Sequence, residues 1–427
     1  MSKISNIKAL EVLDSMGQPT LEIEVVLECG IISSSIVPSD SSNYNSKVIQ
    51  LRDKDHKRYF GQGVLKAIQN VEEKIKPKLQ GIDVLNQRMI DDLLLQMDGS
   101  ENKSKIGANA LLGVSMSCAK AAANYLKIPL YRYLGGVNSH ILPTPIVNMI
   151  NIASHHENML DFKEFMIIPI DTTSFKEAIR MTSEVFYHLK KLLEQNEFMT
   201  TINIQAVLES NEMALQYLVQ AIEQAGYLAG IDAMIGLNIA SEEFYKDGKY
   251  HLKNNDKPFS SNELIEYYEN LISKYPILSI EDGMATNDEL GWQELTSRLG
   301  YKIQLVGANR FITCAKKLSQ GISEKQANSI LIQLSQSTTI SEVIDLIELA
   351  RRNHYTVIIS QSFGESEETF IADLAVALNI GQIKTGSPSN SDRVSKYNRL
   401  LKIERNLYHQ AIYQGKNSIY CIKYTNN

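Results

Sequence analysis

The chain is short of the residues that build disulfide scaffolds, zinc sites and basic nucleic-acid surfaces. It has only four cysteines in 427 residues, Cys29, Cys118, Cys314 and Cys421, and they stand far apart with no CxxC pair. That spacing argues against a zinc site and for a reducing compartment. Acidic residues outnumber basic ones, 49 to 43, for a net charge of −6, and no polybasic block or tail is present. Nucleic acid and anionic membrane surfaces are therefore not expected partners. A membrane-spanning run of about 18 apolar residues is also missing. The longest candidate, 108–123, is interrupted by Asn109, Ser115, Ser117 and Lys120. The opening segment MSKISNIKAL lacks the apolar stretch of a secretory signal. A soluble, cytoplasmic protein is the expectation.

What is present is ordinary for a globular chain: 44% apolar and 22% charged residues, enough to bury a sizeable core. The length suits two or three domains, or one large barrel with an addition. Residues 20–28 alternate Leu21, Ile23, Val25 and Leu27 with Glu22 and Glu24, the pattern of a half-buried antiparallel strand. A polar loop is expected over 39–46, then helices over 63–79, 84–97 and 107–134. That order predicts a small α+β domain over 1–135.

From residue 136 to 427 short apolar runs alternate with amphipathic helices. The runs are 165–170, 201–205, 233–239, 277–280, 303–307, 329–334, 356–360 and 382–385; the helices include 175–195, 212–225, 262–274, 341–353 and 369–378. Eight such runs with helical crossovers predict a TIM-like (β/α)8 barrel, so the chain is α/β overall. An open doubly wound sheet is the alternative, but neither GxGxxG nor GxxxxGK[ST] occurs. No linker or internal repeat is evident.

In such barrels chemistry sits where strands meet their following loops. Those positions hold Glu164, Gln205, Asn238, Glu281, Ala308, Gln333, Gln361 and Lys384. A polar rim solvating the barrel mouth accounts for this set as well as an active site does.

Several ordered segments resemble the enolase (phosphopyruvate hydratase) family over nearly the whole length: LDSMGQPTLEIEV, VPS…LRD, GANALLGVSMS, LYRYLGG, EFMIIP, SIEDG, LVG, GQIKTGSPS and DRVSKYNRLLKIE. The resemblance implies an α+β cap on an atypical barrel and usually a homodimer. It also implies a glycolysis-related reaction, dehydration of 2-phosphoglycerate to phosphoenolpyruvate. In the family Mg²⁺ stabilises the enolate, a lysine removes the α-proton and a glutamate helps hydroxide leave.

Carried over residue by residue, the resemblance points away from that activity. Of three metal carboxylates, one is Asn238, one is kept as Glu281 and one is Ala308. A single carboxylate is a poor Mg²⁺ site. The base lysine corresponds to Gln333, and an amide does not accept a proton near neutral pH. One glutamate is kept as Glu164; another corresponds to Gln205, and about four residues after it are missing. The segment 360–365 puts Gln361 where the family has histidine and Ser362 where it has the phosphate-gripping arginine, with Phe363 at a small-residue position. The lid-like segment 38–44 keeps Ser42, by correspondence a second-metal ligand, but has lost both glycines and gained Asp40. His155 persists in a segment that has also lost its glycines.

The retained set is thus Ser42, His155, Glu164, Glu281 and Lys384. No functional catalytic residue, no cofactor and no metal are expected, with Mg²⁺ the cofactor if this reading fails. The expected function is a non-catalytic binding or regulatory scaffold, a pseudoenzyme that assembles with itself or with a genuine enolase. The alternatives are a lyase with an altered substrate, using Lys384, Glu164 and His155, or residual phosphopyruvate hydratase activity. The dimer is the weaker expectation, because Met16 and Gln18 replace an arginine and an asparagine in the opening segment. Two further cations, Lys163 and Arg310, sit near the old metal positions in sequence. One of these or Lys384 is expected to pair with Glu281 in the place of a metal.

Overall fold

The computed structural model describes residues 1–39, 48–151, 160–196 and 208–422. Ser42, His155 and Gln205 fall outside these ranges. The cap is a three-stranded antiparallel sheet, β1 (Ile4–Leu13), β2 (Pro19–Leu27) and β3 (Ile32–Ile36), in that order. The alternation expected in β2 is what positions it. Leu21, Ile23, Val25 and Leu27 are buried at 0–1% exposure, while Glu24 faces out to pair with Lys8 of β1.

The helix Ala108–Leu126 lies against this sheet and is buried almost all round, as a helix with no polar stripe must be. Gly113 allows the approach, since a Cβ there would stand 2.5 Å from Ile23. The single helix expected over 107–134 is in fact two. Lys127 adopts a left-handed conformation (φ 56°) and Pro129 follows, so the chain restarts as Leu130–Gly135. The expected helix 63–79 holds, but with a π-helical middle at Val71–Ile75. Pro77 has no N–H to donate and its ring crowds the carbonyl four residues back, which explains the loosened turn.

Beyond the cap come β4 (Ile141–Leu142), β5 (Thr144–Asn151), β6 (Glu164–Pro169) and β7 (Ala233–Asn238), then a small hairpin, β8 (Tyr245–Lys246) with β9 (Lys249–Tyr250). The last strands are β10 (Ile277–Glu281), β11 (Gln304–Gly307), β12 (Ser329–Gln333), β13 (Thr356–Ser360), β14 (Gly381–Lys384) and β15 (Ile412–Tyr413), the last pairing with β4. Eight of them close a barrel in the order β10-β11-β12-β13-β14-β5-β6-β7. One expectation is corrected here. The first barrel strand is β5, which the sequence reading did not single out, whereas the expected run 201–205 lies outside the described residues. Ile146, Met166, Ile168, Val306, Leu331 and Ile358 fill the interior.

β6 runs antiparallel to both neighbours, whereas the other described pairs in the ring are parallel. The start of β6 therefore lies level with the ends of the others. Glu164 pairs in register with Asn151 and Asn238, and Asn238 with Glu281.

The cap docks beside this end. Ser39 bridges to Gly364, Ser15 N–H donates to the Glu365 carbonyl at 2.7 Å, and Lys120 pairs with Glu368 at 2.7 Å. Gly364 is required there, because any Cβ would overlap the Ser39 hydroxyl. No helix among the described residues is long and apolar enough to cross a membrane.

Candidate functional site at the barrel mouth

Three successive strand ends, β6, β7 and β10, place Glu164, Asn238 and Glu281 side by side. β14 lies four strands from β10 in the ring, on its far side, and supplies Lys384. The lysine crosses the mouth: its Nζ lies 2.6 Å from Glu164 Oε2 and 2.8 Å from Glu281 Oε2. Lys384 and Glu281 are each 6% exposed. Glu164 also accepts hydrogen bonds from Asn148 Nδ2 at 2.6 Å and Asn238 Nδ2 at 2.8 Å. The expected cation beside Glu281 is therefore Lys384. Lys163 instead pairs with Glu243 at 2.8 Å on the surface, and Arg310 turns to Gln326 and the Thr286 carbonyl.

These contacts push the two carboxylates apart electrostatically. Burial raises the pKa of Glu164, but the Lys384 charge and the hydrogen bonds from Lys384, Asn238 and Asn148 outweigh it and hold the group at about 2. Glu281 goes the other way. Burial, with repulsion from Glu164 and Asp282, outweighs Lys384 and lifts it to about 7. Burial lowers the Lys384 pKa, yet the two glutamates more than reverse this and keep it an ammonium well above neutral pH.

The opposite side of the mouth is lined first by amides and a hydroxyl. Gln333 Nε2 donates to the Gln361 carbonyl at 2.9 Å. The Ser362 hydroxyl is buried and donates to Ser335 Oγ at 2.7 Å, so it is engaged within the protein. Its backbone N–H donates to Glu365, which is clamped by the fully buried Lys396 at 3.0 Å. Phe363 is 63% exposed, so its bulk lies in solvent rather than in the mouth. Ala308 packs against the apolar interior. Three buried amide oxygens at this end, Asn148 Oδ1, Asn238 Oδ1 and Gln361 Oε1, have no partner among the described residues.

The family comparison matches both halves. The family model described as the enolase N-terminal domain matches residues 4–134, and that described as the enolase C-terminal TIM barrel domain matches residues 139–422. The chain belongs to the enolase family. The donors at this barrel mouth do not fit a Mg²⁺ ion. Mg²⁺ calls for hard oxygen ligands with carboxylate charge. Here Asn238 offers a neutral oxygen, Ala308 a methyl, and Glu281 is already engaged by an ammonium. Among the described residues no three His, Cys, Asp or Glu side chains are grouped to hold a metal.

Sequence reasoning missed several members of the site. Asn148 fixes Glu164, and its only signal was a polar residue inside an apolar strand. Asp282, buried and with a left-handed backbone (φ 47°), accepts from the N–H groups of Ala308 and Asn309 at 2.9–3.1 Å. Burial lifts it to about 6 despite those bonds. Ser335 and the Lys396–Glu365 pair carried no local signal, since their partners are distant in the chain.

Proposed function

We propose that this member of the enolase family does not dehydrate 2-phosphoglycerate and serves as a binding or regulatory scaffold without a metal cofactor. The carrying observation is Gln333. At the position of the base lysine stands an amide that donates to the Gln361 carbonyl and has no proton-accepting nitrogen. Lys384 does not replace it, because two carboxylates keep it protonated. Loss of one acid–base or electrostatic group typically costs about 10² to 10⁴ in rate. Base, phosphate-gripping arginine and two metal carboxylates are all absent. The alternative of a lyase with another substrate draws no support from Lys384, whose pKa moves away from that of a base.

Self-association, or association with an active enolase, belongs to the same proposal. The cap exposes Leu10, Leu13 and Met16 along and after β1. Phe60 is 89% exposed, on a segment that Arg58 ties to Glu11 of β1. Clustered exposed apolar side chains are a common mark of interaction surfaces. A cytoplasmic location is proposed with it.

The deciding experiment supplies purified protein with 2-phosphoglycerate and Mg²⁺ and follows phosphoenolpyruvate by absorbance. No product above a protein-free blank is expected, and steady turnover overturns the reading. Sedimentation at several concentrations checks assembly, with a monomer at micromolar concentration rejecting a stable dimer.

A further inference from the structure

Away from the barrel mouth, three exposed lysines converge on one groove of the cap, about 490 Å³ in volume. Lys74, Pro77 and Lys78 come from the helical stretch 65–79 and Met97 from the helix Gln87–Asp98. Lys105 and Ile106 come from the loop ahead of Ala108–Leu126. Among the described residues none of the three lysines pairs with a carboxylate. Lys74 and Lys78 stand one helical turn apart, a spacing at which like charges repel. The helix end at Leu79 accounts for Lys78, since cations favour that terminus, but not for Lys74 or Lys105.

A second surface groove gives the contrast. There Arg88 pairs with Asp345 at 2.8 Å and Arg352 with Glu348 at 3.8 Å, so its charges are balanced. The lysine groove sets three ammoniums against the carboxylate of Glu73, on a chain whose net charge is −6. Gln69 Nε2 holds that carboxylate back along the helix at 3.0–3.1 Å. Asp98, next to Met97, turns inward to accept from the Ile106 N–H at 2.7 Å.

The walls are held in place before any ligand arrives. Buried Asn70 donates to the carbonyls of Lys105 at 3.3 Å and Ile106 at 3.0 Å, tying that loop to the helix of Lys74. The helix takes its π-helical turn, Val71–Ile75, at the groove, and such turns gather at functional sites. Pro77, half-buried Met97 and buried Ile106 form an apolar strip among the cations. Lysines supply point charges rather than the planar fork that grips phosphate, and the lining has no aromatic ring on which a base could stack.

We propose that this groove docks an acidic segment of a partner chain, whose carboxylates meet Lys74, Lys78 and Lys105 while one apolar side chain seats on Pro77, Met97 and Ile106. The proposal rests on the scaffold reading and gives that scaffold a partner of stated chemistry.

Fluorescence anisotropy tests it with a labelled peptide that carries one leucine between two runs of glutamate. The full chain should bind one peptide saturably, and more weakly as salt rises. Lys74→Glu/Lys105→Glu should weaken binding at least about tenfold, because each reversal turns an attraction into a repulsion. Lys74→Gln/Lys105→Gln, which removes charge without reversing it, should fall between and covers the case of a reversal that unfolds the cap. Lys316→Glu/Lys402→Glu, an equal change of charge at exposed lysines elsewhere, should leave binding as it is. Serine for leucine in the peptide should cost at least about threefold through the lost apolar contact. The proposal is overturned if the wild type takes no peptide, if the groove variants bind as well as Lys316→Glu/Lys402→Glu, or if the leucine makes no difference. Binding of single-stranded DNA or of phosphatidylserine vesicles that depends on Lys74 and Lys105, with no peptide bound, assigns the groove to another partner and overturns it as well. Failure of peptide binding without turnover defeats this proposal alone, whereas turnover of 2-phosphoglycerate defeats the non-catalytic reading.

Discussion

The two ends of the barrel are both polar inside, and they are polar in different ways. At the floor, Gln304 and Gln382 exchange amide hydrogen bonds at 3.1 and 2.9 Å. Thr356 and Ser279 bond to Gln304, and Gln382 also donates to the Ser418 carbonyl. The C-terminal residues close over this network, with Ile419 and Ile422 packed on Leu278. The floor is neutral and satisfied within itself. The mouth, separated from it by the apolar layer around Ile168 and Val306, holds an ammonium, two glutamates, a buried aspartate and three amide oxygens with no partner among the described residues. Satisfied neutral networks specify a fold, whereas charged groups and unpaired acceptors leave interaction capacity unspent. The first end is built as a neutral plug, and the second keeps charged groups that face one another across the ring.

Substitutions at each end test this difference. The largest effect is expected from Lys384→Met, which strands two carboxylates at the mouth. Removing one partner of a buried ion pair costs about 3–5 kcal/mol, and urea unfolding should register a loss of that size. A loss under about 1 kcal/mol would place the mouth on the same footing as a surface pair such as Lys163–Glu243.

The second expected effect is a pH slope confined to the mouth. Glu281 is lifted from its ordinary 4.5 to about 7, so the folded chain holds a proton there that the unfolded chain has released. Its contribution is complete below pH 4.5 and is lost as pH rises through 7, at up to about 1.4 kcal/mol per pH unit. Glu164, held at about 2, contributes in the opposite sense, and its share is lost only as pH falls from 4.5 towards 2. Melting temperatures of Glu281→Gln should therefore fall less steeply than those of the wild type between pH 4.5 and 7. Parallel curves would remove Glu281 as the titrating group.

The smallest effect is expected at the floor. Gln304→Leu leaves Gln382 and Thr356 short of partners, at a cost of about 1–3 kcal/mol. The double variant Gln304→Leu/Gln382→Met should recover part of that loss, because replacing both partners removes the unpaired groups. A double variant as unstable as the sum of the two singles would show that the amides do not act as one unit.

Much of the fold was legible locally. Residues 175–195 read as a helix and form one over Phe175–Gln195, with Ser174 accepting from the Glu177 N–H as a cap. β2 declared itself by strict alternation. β5 did not, because TPIVNMIN opens with a proline nearby and carries asparagine among its apolar residues, and its burial on both faces erases any alternation. The site was legible as a set of residue types at strand ends. The partnerships inside it were not: Lys384 and Glu281 are separated by 103 residues, and Asn148 and Glu164 by 16.

The amino-acid sequence by itself determined the family, and it determined which functional groups exist at each position: an amide at Gln333, a methyl at Ala308, one carboxylate at Glu281. Side-chain chemistry is set by identity, and no folding turns an amide into a base. Only the tertiary structure decided which surviving charges meet. The reversal of β6 brings Glu164 level with Glu281, and closure of an eight-strand ring brings β14 within one lysine's reach of both. Coulomb attraction depends on separation and on exclusion from water, and both are properties of the closed barrel rather than of the chain order.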